Sequence, residues 1–210
     1  MDQNFQNPLE IFKVPGTIWM VCFVLSYKLC ERAEQTFALY LVDQGISREE
    51  LAILSTFIRA FSITGSTVSG LFLVKYKASK VVQFFAITRT FTILAMTYVI
   101  FQDQVQTSFI KYFGYTSICL TSISAGGITT ATFTMMMTLS QKVYESFQGT
   151  HYSILATCEV LGKLIFAAFA GWLTDYIGLQ SVFLLFSILA IIVIPFIRTF
   201  KENDRIKISD

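Results

Sequence analysis

The chain has 210 residues, of which 54% are hydrophobic and 14% are charged, and its mean hydropathy is +0.60. This composition excludes an ordinary water-soluble domain and favours a protein embedded in a lipid bilayer. The 16 basic and 14 acidic residues nearly balance and form no basic stripe with interleaved aromatic residues, so no nucleic-acid partner is expected.

Six apolar stretches follow one another along the chain, and each is long enough to cross a bilayer. A hydrocarbon core of about 30 Å needs roughly 20 helical residues. The stretches cover residues 16–42, 49–74, 80–101, 109–139, 148–174 and 180–200. None of them alternates as the strands of a membrane barrel do, so helices are predicted. The sequence therefore predicts an all-α membrane protein with a six-helix transmembrane bundle at residues 16–200.

The basic residues outside the spans predict the orientation of the bundle in the membrane. One side carries nine of them: Lys13, Lys75, Lys77, Lys80, Lys142, Arg198, Lys201, Arg205 and Lys207. The opposite side carries only Arg48 and Lys111. Since cytoplasmic loops collect Lys and Arg, both termini are predicted to be cytoplasmic. Residues 1–15 then form a cytoplasmic segment and residues 201–210 a cytoplasmic tail.

A weak internal repeat relates the first three spans to the last three. A shift of 101 residues aligns residues 69–87 with 170–188 and matches Gly70 with Gly171 and Phe85 with Phe186. Chance similarity between apolar segments is one explanation. The other is a three-plus-three inverted repeat, because three intervening spans reverse the orientation.

Charged residues within the predicted spans point to a polar cavity. The cations are Lys28, Arg32, Arg59, Arg89 and Lys163, and the acids are Glu31, Glu34 and Glu159. Each charge costs about 2.5–3.5 kcal/mol at the centre of a membrane helix, so these side chains are expected to avoid lipid. The alternative is a purely structural role, in which Glu31 pairs with Arg32 or Lys28, and Glu159 pairs with Lys163, to stabilise the bundle.

The cations outnumber the acids by two, which favours an anionic solute as the ligand. The five cations and Tyr115 are therefore predicted to bind substrate. A buried carboxylate or imidazole is able to carry a coupling proton, so Glu31, Glu34, Glu159 and His151 are the proton-coupling candidates.

Small residues in the second and fourth spans predict local packing features. Gly65 and Gly70, with the serines around them, have the spacing that lets membrane helices approach closely. The double glycine Gly126–Gly127 predicts a bend that lines the cavity.

Neither a cofactor, a metal site nor an enzyme is expected from the sequence. His151 is the only histidine, and the motifs HExxH and GxSxG are absent. The four cysteines fall within apolar segments without the spacing of a zinc site or a disulfide framework.

Several segments together resemble the acetyl-coenzyme A transporter and AmpG muropeptide permease family of the major facilitator superfamily. They are residues 14–19 (VPGTIW), 27–29 (YKL) followed by Glu31, 41–51 (LVDQGISREEL), 129–137 (TTATFTMMM), 149–163 (GTHYSILATCEVLGK) and 170–178 (AGWLTDYIG). The resemblance implies a twelve-helix transporter that moves a bulky anionic metabolite such as acetyl-CoA with protons.

The similarity covers only the C-terminal half of such a transporter. An N-terminal six-helix half, or another chain, is therefore the expected partner, besides the lipid bilayer, the anionic solute and protons. The alternative reading is a truncated, non-transporting membrane adaptor or isoform of a twelve-helix relative.

Overall fold

The computed structural model describes residues 14–102 and 108–200, without the side chains of residues 28–30 and 108. Within these residues the chain forms six α-helices and no strand. They are α1 (Thr17–Asp43), α2 (Arg48–Lys75), α3 (Ala78–Gln102), α4 (Ser108–Ser140), α5 (Glu145–Ile177) and α6 (Leu179–Arg198). The predicted all-α fold is confirmed. The predicted terminal segments lie outside the described residues, apart from residues 14 and 15.

Local sequence signals set where several helices begin and end. The Ser47 side chain accepts a hydrogen bond of 3.2 Å from the Glu50 backbone N–H and so caps the start of α2. Glu49 and Glu50 in its first turn and Lys75 in its last suit the helix dipole. Between α5 and α6, Gly178 has φ +83°, a backbone conformation that favours glycine. These short junctions keep successive helices antiparallel.

The packing of the helices has the symmetry expected of the inverted repeat. Helix α2 packs chiefly on α4, and α5 chiefly on α1, while α3 packs on both α4 and α6. Exchanging the first three helices for the last three converts the α2–α4 pair into the α5–α1 pair. The arrangement is that of a six-helix, three-plus-three half of a major facilitator fold.

Two hydrophobic clusters fill the interior, one towards each end of the bundle. The first includes Phe37, Ile93 and Phe183, and the second includes Phe23 and Phe85. Along α1 and α3, the charged residues fall at the junction of the two clusters. The bundle therefore holds a polar layer between two apolar ones.

Helices α2 and α4 approach each other more closely than larger side chains would allow. A Cβ added to Gly65 would lie 2.0 Å from the Ile123 carbonyl oxygen, and one on Gly126 would lie 2.0 Å from that of Ser62. The Ser69 hydroxyl donates a 2.9 Å hydrogen bond to the Gly127 carbonyl. The close packing predicted for Gly65 is present, whereas the prediction for Gly70 is wrong, because an added Cβ there meets nothing within 4 Å. The double glycine lies within a continuous helix α4, and the bend there stays a prediction.

Five of the described helices, α2 to α6, are long and apolar enough to cross a membrane. Helix α1 has 27 residues, but Lys28, Glu31, Arg32 and Glu34 lower the hydropathy of its central part. A span with this many charges needs protein or water around its polar face. Helix α1 packs on α4, α5 and α6, which provide such surroundings.

Candidate transport site

Two of the predicted substrate-binding cations lie on exposed faces of the six-helix bundle. Arg59 is near the middle of α2, and Lys163 is near the middle of α5. Both side chains are exposed, and so are many apolar neighbours, including Phe57 and Leu164. Helices α2 and α5 each pack mainly on one other helix, which leaves the rest of their surface open. Mid-helix cations on these surfaces need a partner or an aqueous cavity in place of lipid.

Arg32 links helix α1 to the turn of α5 that carries Lys163. Its side chain is 7% exposed. One guanidinium nitrogen, Nη2, donates a 2.7 Å hydrogen bond to the Lys163 carbonyl, and Nη1 donates to the Gln35 side chain. The backbone hydrogen bonds of α5 form within the helix itself, so the bond from Arg32 is an additional one. It fixes the position of α5 against α1. Arg32 therefore orients the backbone that presents Lys163.

The acidic candidates lie partly or fully within the bundle. Glu159 is buried, whereas Glu31 and Glu34 are partly buried. The Glu34 carboxylate is within electrostatic reach of the Arg89 guanidinium and within hydrogen-bonding reach of Ser122 on α4. Glu159 and Lys163 differ in exposure although they are one helical turn apart. Lys28 lies in α1, and its side chain is outside the described residues.

His151 joins three helices at the predicted cytoplasmic end of the bundle. The ring is completely buried. Its Nε2 lies 3.0 Å from the Thr17 hydroxyl of α1, and its Nδ1 lies 2.9 Å from the Ser140 hydroxyl of α4. The Ser140 hydroxyl also lies 2.9 Å from the Met136 carbonyl, to which it donates. Both ring nitrogens thus have partners, and the imidazole bridges α1, α4 and α5.

Tyr115 belongs to a polar cluster at the opposite end of the bundle. Its hydroxyl donates to Glu50 over 3.4 Å, and the Lys111 ammonium lies 2.8 Å from the same carboxylate oxygen. This contact ties the start of α2 to the start of α4. Sequence reasoning missed Glu50, because 61 residues separate it from Lys111 and no local spacing signals the pair.

Arg89 is inside the bundle and does not share the exposed surface of Arg59. Its side chain is only 3% exposed and lies near α1 and α6. The structure thus separates the predicted cations into an outer pair, Arg59 and Lys163, and an inner pair, Arg32 and Arg89. Among the described residues, no group of three or more His, Cys, Asp and Glu side chains is placed to hold a metal ion.

A comparison of the sequence with known protein families agrees with the six-helix fold. The family model described as Major Facilitator Superfamily matches residues 9–208, nearly the whole chain. That range takes in all six helices. The chain therefore belongs to the Major Facilitator Superfamily, whose members carry out secondary transport across membranes.

Proposed function

We propose that this chain forms one half of a secondary transporter for an anionic organic solute, with acetyl-CoA or a similar bulky metabolite as the substrate and protons as the coupling ion. Arg59 and Lys163 bind the anion, and Arg32 positions Lys163. In this arrangement both termini are cytoplasmic, and a second six-helix bundle completes the translocation pathway.

The exposure of two cations at mid-helix depth is the observation that supports this proposal best. Arg59 and Lys163 are both exposed on helices that have open surfaces. Each would cost about 2.5–3.5 kcal/mol if it faced hydrocarbon. A second bundle covering these surfaces would enclose a cationic cavity, where an anion offsets the charge.

The choice of substrate rests on the sequence resemblance to acetyl-coenzyme A transporters and AmpG permeases. Acetyl-CoA is large and carries several phosphate charges, which suits a site with more than one separated cation. Guanidinium groups bind phosphate oxygens in pairs, so Arg59 is assigned to a phosphate.

Uptake of labelled acetyl-CoA into proteoliposomes tests the proposal, using the intact protein and an imposed proton gradient. The wild type is expected to show saturable uptake. Because a hydrogen bond to a charged group contributes about 1.5–3 kcal/mol, Arg59→Gln should raise the KM about 10- to 100-fold, and so should Lys163→Gln.

Arg48→Gln is the matched control, because Arg48 is an exposed arginine at the end of the same helix. It should leave the KM unchanged. Absence of saturable uptake for acetyl-CoA and for other organic anions would reject transport of this class and favour the adaptor reading. Normal uptake by Arg59→Gln would remove Arg59 from the site.

Proton coupling is tested in the same vesicles by abolishing the pH gradient. Buried Glu159 is the first candidate for the proton, so Glu159→Gln should leave exchange of solute intact and abolish accumulation driven by the gradient. Gradient-driven accumulation by this variant would exclude Glu159 as the proton-carrying residue. Glu31 and Glu34 would then be the remaining acidic candidates.

A further inference from the structure

A small cavity lies inside the bundle, between four of its helices. Its lining includes Phe23 and Tyr27 of α1, Val82 and Arg89 of α3, Ile128 of α4 and Val193 of α6. The cavity offers about 20 Å³ to the centre of a water-sized particle. About 10–15 Å³ in this measure holds one water molecule, so the enclosed part of this half-open cavity fits one water molecule or one atomic ion.

Arg89 brings a positive charge to this largely apolar cavity. Two of its guanidinium nitrogens, Nε and Nη2, are buried and have no hydrogen-bond partner among the described residues. A buried donor without a partner is costly, and a buried charge costs more. Glu34 interacts with this guanidinium electrostatically but forms no close ion pair with it among the described residues, so the cavity favours an anion.

The protein groups near Arg89 offer incomplete compensation. The Thr90 hydroxyl donates to the carbonyls of Ala86 and Ala190, at 2.9 and 3.2 Å. Glu34 lies within electrostatic reach, but the described residues include no ion pair between it and Arg89 within 4 Å. Two guanidinium nitrogens of Arg89 therefore remain without a hydrogen-bond partner beside the cavity.

We propose that this cavity binds a single monovalent anion of the size of chloride, held by the guanidinium of Arg89. A halide suits the site because it is small and weakly hydrated, accepts several N–H donors and tolerates apolar walls. Since α1, α3, α4 and α6 all line the cavity, the ion stabilises the packing of these four helices. The site is separate from the solute site assigned to Arg59 and Lys163.

Thermal unfolding of the purified protein in detergent tests this proposal without any transport substrate. Replacing chloride by gluconate at constant ionic strength and pH removes the halide, because gluconate is too large for the cavity. We expect the melting temperature of the wild type to fall by about 3–5 °C on this exchange, and bromide to restore it.

Arg89→Gln should melt at the same temperature in both anions, whereas the matched control Arg48→Gln should keep the full halide effect. Glu34→Gln should also keep it. If Glu34 instead neutralised Arg89, the wild type would show no halide effect and only Glu34→Gln would acquire one, and this outcome would overturn the proposal.

Anomalous diffraction from wild-type crystals grown in bromide provides a second test, which does not depend on whether Arg89→Gln folds. The expected result is a bromide peak within about 3.5 Å of the Arg89 guanidinium, at hydrogen-bonding distance from its nitrogens. Ordered solvent in the cavity with no anomalous signal would show that water, and not a halide, fills it.

Discussion

At the scale of single residues, His151 shows how one polar side chain joins three helices. Both ring nitrogens lie about 3 Å from hydroxyls, Nε2 from that of Thr17 and Nδ1 from that of Ser140. Inside an apolar bundle these bonds have no competing water, so losing the ring removes one hydrogen-bond partner from each of the two buried hydroxyls, of which Ser140 keeps its bond to the Met136 carbonyl.

His151→Leu is therefore expected to lower the free energy of unfolding by about 2 kcal/mol and the melting temperature by about 4–8 °C. Differential scanning fluorimetry in detergent measures the change. Ser153→Ala is the control, because Ser153 is exposed on the same helix, and it should melt like the wild type. Equal melting of wild type and His151→Leu would contradict the bridging role.

Residue exposure was the part of the site that the sequence could not predict. Arg32 and Gln35 are three residues apart on α1 and therefore share a helix face, and they are hydrogen-bonded. No spacing within α1 indicates that Arg32 also reaches the Lys163 carbonyl of α5. Likewise, the sequence did not separate the exposed Arg59 from the buried Arg89, because that difference depends on neighbouring helices.

At the scale of helices, hydropathy located the elements but underestimated the length of some. The fifth span was predicted at residues 148–174, whereas α5 covers Glu145–Ile177. The three extra residues at each end include Glu145 and Asp175, and their backbone hydrogen bonds continue the helix beyond the apolar run. Hydropathy marks the thickness of the hydrocarbon and not the end of a helix.

The contact between α2 and α4 gives a prediction with an internal control on the same helix. Gly65→Ala places a methyl group 2.0 Å from the Ile123 carbonyl oxygen, so the two backbones must separate. We expect a loss of folded protein or a fall of several degrees in melting temperature. Size-exclusion chromatography in detergent and thermal unfolding measure these effects.

Gly70→Ala is the control, since an added methyl group there meets nothing within 4 Å. It should be tolerated, because alanine also favours the helix more than glycine does. Similar behaviour of Gly65→Ala and Gly70→Ala would mean that α2 shifts along α4 easily and that their close approach is not required.

At the scale of the whole molecule, the predicted orientation of the bundle has a direct test. Lys142 lies between α4 and α5 on the side rich in basic residues, and Glu49 lies at the start of α2 on the opposite side; both are exposed. In intact cells that carry the protein in the plasma membrane, a membrane-impermeant maleimide should label Glu49→Cys and not Lys142→Cys.

The parent chain is the control for this labelling, because it carries native cysteines, among them the exposed Cys22. Permeabilised cells should allow labelling at Lys142→Cys and show that the thiol is reactive. The reverse labelling pattern would place the termini on the non-cytoplasmic side. It would reject the orientation predicted from the distribution of basic residues.

The exchanged packing of the two repeats has a consequence for how the protein is made. Helix α2 packs mainly on α4, and the charged helix α1 packs mainly on α5. Three helices, α2 to α4, are synthesised between α1 and α5. A nascent chain that has inserted only α1 to α3 of this bundle therefore still lacks the α5 carbonyl that accepts a hydrogen bond from Arg32. Within this half, α1 therefore reaches its main packing partner only after α5 has been inserted, so the six-helix bundle is completed late and not helix by helix.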